Sequence, residues 1–312
     1  MIKKATAFFT ALALMLAFAG CGSINTEGGG RLKVLVSFNA MKEFVLAVGQ
    51  DKVSVSSIVP DGMEAHDFEP KARDLALLGE ASVFVYNGLG MEPWAKNAVS
   101  SANNARLIAV EASHGAEIVY FDHDHDAHEE EDGHGHGHGE DGADPHVWLS
   151  LTGAIVEVQN IAAALAEADP VNKAFYEQNG AAYAEQLEAL HREYAPKFEA
   201  LANKSFVTGH AAFAYLCRDF GLTQVSVADV FNSGEPSPRQ MAELVEFCRQ
   251  NGVTAIFAEK ASSAEVSKTL ANEVNAEVKP IYTMENAEDE KSYLTRMEDN
   301  LREIYESLTV RP

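Results

Sequence analysis

The sequence predicts an α/β protein: two Rossmann-like lobes with mainly parallel sheets, joined by one long rigid helix. Three observations carry that prediction. From Leu32 onward short apolar segments alternate with amphipathic helical ones, the pattern of strand–helix–strand units. The alternation runs twice, on either side of a helical stretch that opens at Pro170. The chain has 312 residues, 46% of them hydrophobic, enough for two domains with real cores.

The elements follow in order. Lys3 and Lys4 precede the mostly apolar run Ala5 to Phe18, which is too short and too terminal to span a membrane, so residues 1–20 read as a secretory signal. The run leads into Phe18-Ala19-Gly20-Cys21, which resembles the lipobox of bacterial lipoproteins and marks Cys21 for lipidation. Residues 21–31, with Gly28-Gly29-Gly30, form a flexible tether. The N-terminal lobe, 32–169, is expected to hold strands near 32–37, 53–59, 83–86 and 107–110, and helices near 41–48, 92–99 and 151–167. The linking helix, 170–203, carries Tyr176, Tyr183, Leu187, Leu190 and Tyr194 at helical spacing, with Gly180 as a weak point. At about 30 residues it would be about 45 Å long, a scaffold between lobes. The C-terminal lobe, 204–312, repeats the order with strands near 205–208, 224–227, 255–258 and 277–282, and helices near 211–220, 238–251 and 263–274. A cleft between such lobes is where ligands usually sit.

Charge narrows the partners. Lys and Arg number 24 against 47 Asp and Glu, a formal net charge of -23, which excludes a nucleic-acid binder. One segment, 122–142, is of low complexity, with nine acids and six of the 11 histidines: His123, His125, His128, His134, His136 and His138. Imidazole is the commonest side-chain metal ligand, and glycine spacing lets several converge, so this loop reads as an auxiliary metal collector. Its bland reading is a solvated polar loop.

Five histidines lie elsewhere. His191, among charged residues on the linking helix, and His114, in a turn-like Ser-His-Gly context, read as surface or structural. The other three stand at loop or strand-end signals: His66 in Gly62-Met63-Glu64-Ala65-His66-Asp67-Phe68-Glu69-Pro70, His146 in Asp144-Pro145-His146-Val147-Trp148-Leu149, and His210 in Thr208-Gly209-His210-Ala211-Ala212-Phe213. Singly, each would pass for a hydrogen-bonded structural residue. Three in one exported chain with a histidine-rich loop point to a metal.

At these motifs, together with Glu235-Pro236-Ser237-Pro238, the chain from about Leu32 to Leu308 resembles the zinc and manganese substrate-binding lipoproteins of bacterial ABC importers. The resemblance implies a metal held between the lobes by His66 and His146 of the first and His210 of the second. It also implies a fourth carboxylate near the last strand, where the sequence reads Tyr282-Thr283-Met284-Glu285-Asn286. Glu285 is the expected ligand and Glu259, at another strand end, the runner-up; the alternative is water in the fourth position. Ala65, Phe68 and Ser150 depart from residues common in the family (Pro, Tyr and an acid), and none of the three is a proposed ligand. Three imidazoles and one carboxylate suit four-coordinate Zn(II), whereas manganese relatives tend to place a carboxylate at the position of His210.

The function so implied is capture of Zn(II) outside the cytoplasm and delivery to the permease of an ABC transporter, by a lipid-anchored monomer at the bacterial cell membrane. A manganese-binding homologue with an added adhesin role, and a zinc hydrolase, are the alternatives. The hydrolase would usually show a compact His-Glu-x-x-His motif, and the sequence has none; nor is there a Gly-x-Ser-x-Gly elbow. Cys217 and Cys248 are the thiols that remain beside Cys21, and outside the cytosol they could pair in a disulfide or stand as two small buried hydrophobes.

Overall fold

The computed structural model describes residues 30–120, 142–229, 236–259, 265–287 and 289–309. The first lobe is a four-stranded parallel sheet of β1 (Leu32–Val36), β2 (Val53–Ser57), β3 (Val83–Tyr86) and β4 (Ile108–Glu111) in the order β2-β1-β3-β4. Its strand-to-strand connections carry α1 (Asn39–Gly49), the single turn α2 (Ala72–Leu75) and α3 (Ala95–Ser101). β1 and β3 are neighbours although β2 lies between them in sequence, so the connections leave the sheet in opposite directions there and open a crevice at the strand C-termini. The second lobe repeats the plan with β5 (Ser205–His210), β6 (Thr223–Ala228), β7 (Ala255–Glu259) and β8 (Glu277–Ile281), again parallel, in the order β6-β5-β7-β8. Both sheets lie in one compact unit, Leu32–Pro312.

Between the sheets run α4 (Leu151–Ala168) and α5 (Lys173–Glu199). The expected linking helix is thus shorter than 170–203: Pro170–Asn172 form a separate 3-10 turn, in which the Asp169 carboxylate accepts from Asn172 and from the Tyr176 hydroxyl. Gly180 does not interrupt α5. A Cβ there would lie 2.8 Å from Ala162 of α4, so the glycine is what allows the two helices to approach. Tyr176, Leu187, Tyr194 and Phe198 on the buried stripe of α5 join a core cluster that also contains Val34 and Phe84 of the first sheet and Phe206 and Phe257 of the second. A smaller cluster around Val207, Leu244, Ile256 and Leu270 fills the outer side of the second lobe, covered by α7 (Pro238–Gln250) and α8 (Glu265–Val274). One hydrophobic core shared by both sheets resists independent movement of the lobes.

α5 is not the sole link. After β8 the chain returns to the first lobe and then forms α9 (Tyr293–Thr309), a helix absent from the expectations above. At its start Tyr293 packs on Phe44 with ring centroids 4.6 Å apart, its hydroxyl donates to the Trp148 carbonyl, and Arg296 pairs with Glu43 at 2.6 Å. At its end Tyr305 meets Phe198 of α5.

Cys217, on α6 (Ala214–Phe220), and Cys248, on α7, are free thiols that pack in the two different core clusters. The disulfide left open by the sequence is not made, and the two act as small buried hydrophobes; burial pushes their thiols up to about 12 and about 11. His191 stacks on Phe220 at 5.0 Å, joining α5 to α6, and His114 is exposed. No helix among the described residues is long and apolar enough to cross a membrane.

Candidate metal centre

Four of the expected residues converge. One donor atom each from His66, His146, His210 and Glu285 lies within 4.8 Å of the others. Each arrives from a different connection at the strand C-termini, where α/β sheets place their ligands.

His66 lies in the connection between β2 and α2, which turns at Gly62 (φ 85°) and is pinned by the buried side chains of Ala65 and Phe68. His146 is fully buried one residue before the 3-10 turn Val147–Leu149 that leads into α4, with Trp148 packed beneath it. Its backbone N and its Nδ1 both donate to Asp144 Oδ1 at 2.8 Å. His210 closes β5, and its carbonyl accepts from Thr208 Oγ1 and Gln224 Nε2, each at 2.7 Å. Its Nδ1 donates to Oε1 of Glu259, the last residue of the adjacent β7, at 2.8 Å. Gly209 makes room for this pair, since a Cβ there would sit 3.3 Å from the Glu259 carboxylate. Glu285 comes from the loop after β8, where Met284 adopts φ 59°.

The two flanking carboxylates decide what the imidazoles offer. A carboxylate accepts, so His146 and His210 carry their protons on Nδ1 and turn an Nε2 lone pair inward. His146 Nε2 lies 3.1 Å from His66 Nε2, and the buried His210 Nε2 and Glu285 Oε2 have no hydrogen-bond partner. Buried polar atoms left without a partner are rare and call for a ligand. A tetrahedral zinc with bonds of about 2.0–2.2 Å would give His210 Nε2 and Glu285 Oε2 the partner they lack.

The electrostatics agree. Burial, and then the charges His146 and His210 would carry, push His66 well below its ordinary value; burial also lowers His146, against the pull of Asp144. Both are neutral at pH 7, the form in which an imidazole can take a metal. Burial would lower His210 too, but the hydrogen bond and charge of Glu259, with Glu285 and Glu64 beyond, leave it raised. Burial pushes Glu285 up to about 8, and Glu64, half-buried, is also raised by burial. Without an ion, this acid-rich half of the site holds protons that a cation would displace.

Glu259, the runner-up in the sequence, orients His210 instead of replacing Glu285. Asp144 and Glu64 were not singled out from the sequence, although Asp144 stands two residues before His146 across a proline and Glu64 two before His66. The six loop histidines, Cys21, Glu235 and Glu288 lie outside the described residues; the base of the loop is closed by an antiparallel bridge between Tyr120 and Ala143.

Two α/β lobes with a buried nitrogen- and oxygen-donor shell between them define a metal-binding solute-binding protein. The chain belongs to the family described as zinc-uptake complex component A, periplasmic, whose profile matches residues 34–307. It is 47% identical over 275 residues to a protein of Treponema pallidum (strain Nichols) named as metal-binding, covering 88% of this chain and 86% of that one. It is 36% identical to the high-affinity zinc uptake system protein ZnuA of Bacillus subtilis (strain 168), over 100% of both chains. Its fold is similar to that of a Zn(II)-bound mutant variant of AdcAII from Streptococcus pneumoniae, with a TM-score of 0.79 and 32% identity over 90% of this chain and 100% of that one.

Proposed function

We propose that the protein captures Zn(II) outside the cytoplasm through His66, His146, His210 and Glu285 and hands it to the permease of an ABC importer. The observation that carries this reading is the convergence of those four donors, two of them with buried, unpartnered atoms turned into the shared space. Three imidazoles and one carboxylate favour zinc over manganese, which prefers harder, oxygen-rich shells. Four protein donors complete a tetrahedral shell and leave no position for an activated water, which favours carriage over hydrolysis. The family membership supports the permease as partner.

In this reading Cys21 carries the lipid that holds the protein at the membrane surface, and the 122–142 segment gathers zinc; both lie outside the described residues, save Gly142. The protein works as a monomer and catalyses nothing. The test is metal analysis of protein purified without added metal, with competition between zinc and manganese. One tightly held zinc per chain that excess manganese does not displace supports the reading; preferential retention of manganese overturns it.

A further inference from the structure

Glu285 follows the last strand of the second lobe, yet its backbone is held by the first. Up to Tyr282 the chain belongs to its own lobe: Tyr282 exchanges hydrogen bonds with the Asn300 side chain of α9, its N donating to Oδ1 at 2.9 Å and its carbonyl accepting from Nδ2 at 2.7 Å. From Thr283 the partners change. Trp148 Nε1 donates to the Thr283 carbonyl at 2.7 Å. The buried Asn39 donates twice, from Nδ2 to the Met284 carbonyl at 3.3 Å and from its backbone N to the Glu285 carbonyl at 3.2 Å. Gly62 N donates to Asn286 Oδ1 at 2.8 Å.

Asn39 is the best placed of these. It opens α1 three residues after β1, at the switch point of the first sheet, and its Nδ2 also donates to Glu43 Oε1 at 2.9 Å, so its amide is fixed from both sides. Glu43 in turn pairs with Arg296 of α9. Met284 adopts a left-handed backbone conformation that a non-glycine residue keeps only when its surroundings impose it, and Asn39 grips the Met284 carbonyl.

We propose that Asn39 is a positioning residue for Glu285: by holding the 284–285 backbone it makes the fourth donor part of the first lobe, so that zinc meets an assembled His66–His146–Glu285 half-site and His210 is the one donor contributed by the second sheet. This rests on the metal-centre reading above and extends it. Asn39 touches no metal; it acts through Glu285 alone.

A double-mutant cycle on zinc affinity tests this, by competition with a chromogenic chelator. Asn39→Ala should weaken zinc about tenfold, the low end of what residues orienting metal ligands command. In a Glu285→Gln background the same substitution should change affinity less than about twofold, whereas in a His210→Ala background it should again cost about tenfold. A general loosening of the fold would weaken zinc equally in all three backgrounds, and that result, or no loss from Asn39→Ala alone, overturns the proposal. Should Asn39→Ala fail to fold by circular dichroism, Asn39→Leu takes its place in the cycle, because leucine fills a similar space and has no side-chain N–H to give the Met284 carbonyl. Wild-type affinity in Glu285→Gln itself would instead overturn the ligand assignment on which the inference rests.

Discussion

Replacing Glu259 by Gln keeps the shape and a hydrogen-bond acceptor beside His210 and removes only the charge. His210 Nδ1 donates to Glu259 at 2.8 Å between two residues that are 2% and 5% exposed, so solvent screens the pair little, and zinc on Nε2 would keep the imidazole neutral. A hydrogen bond to a charged group contributes about 1.5–3 kcal/mol against about 0.5–1.5 for a neutral pair. The difference, a little over 1 kcal/mol, corresponds to about tenfold in affinity. The charge has an opposing effect that separates this account from simple damage. Glu259 also holds His210 above its ordinary value, and the proton so favoured competes with zinc for Nε2. Without that charge His210 titrates lower, so as pH falls the wild type loses affinity sooner than the variant. Chelator competition at several values from about pH 7.5 to about 5.5 should therefore show a tenfold gap that narrows on acidification. Equal affinities at the upper pH, or a gap that widens as pH falls, would refute the reasoning.

Other outcomes are expected from the same geometry. Glu285→Ala should weaken zinc clearly, but less than His66→Ala, His146→Ala or His210→Ala, while Glu288→Ala should match the wild type in the same competition assay. Zinc binding near pH 7 should release protons, because His210 is raised and Glu285 titrates at about 8; calorimetry in buffers of different ionisation enthalpy measures the number, and zero release would contradict the assignment. Deleting 122–142 should abolish weak, multiple zinc binding and leave one tight site, since a segment that must be ordered binds more weakly than a preformed shell; calorimetric loss of the tight site would sink that division of labour. Glu157 is fully buried with neither carboxylate oxygen hydrogen-bonded, and burial pushes it well above its ordinary 4.5. The folded state therefore binds this proton more tightly, and stability contributed below pH 4.5 is lost as pH rises toward the folded value. Urea midpoints of metal-free Glu157→Gln should fall less with rising pH than those of the wild type, and parallel slopes would count against a buried, protonated Glu157.

The sequence by itself determined the α/β class and the twofold order of strands and helices, and, through the resemblance its motifs carry, named the four donors that converge, with Glu259 as runner-up to Glu285. Those features are local. Strand and helix periods are written in adjacent residues, and His66, His146 and His210 each stand in a motif at or beside a strand end or helix start, where an α/β sheet points its side chains into a cleft. Boundaries slipped where capping intervened, as at Pro170–Asn172, and α9 went unread although its amphipathic pattern was present. Only the tertiary structure decided the rest. Asp144 and Glu259 could have been any surface acids in a chain with 47 of them; what makes them orienting partners is 2.8 Å of distance, for Glu259 across 49 residues of sequence. Cys217 and Cys248 looked alike on two helices, but the helices pack into different clusters, and no spacing along the chain reveals that. Glu285 shows the limit most plainly. Its neighbours in sequence place it in the second lobe, yet the donors that hold the 283–285 backbone come from residues 39 and 148, because a backbone carbonyl buried on leaving β8 takes whichever N–H the folded chain brings to it.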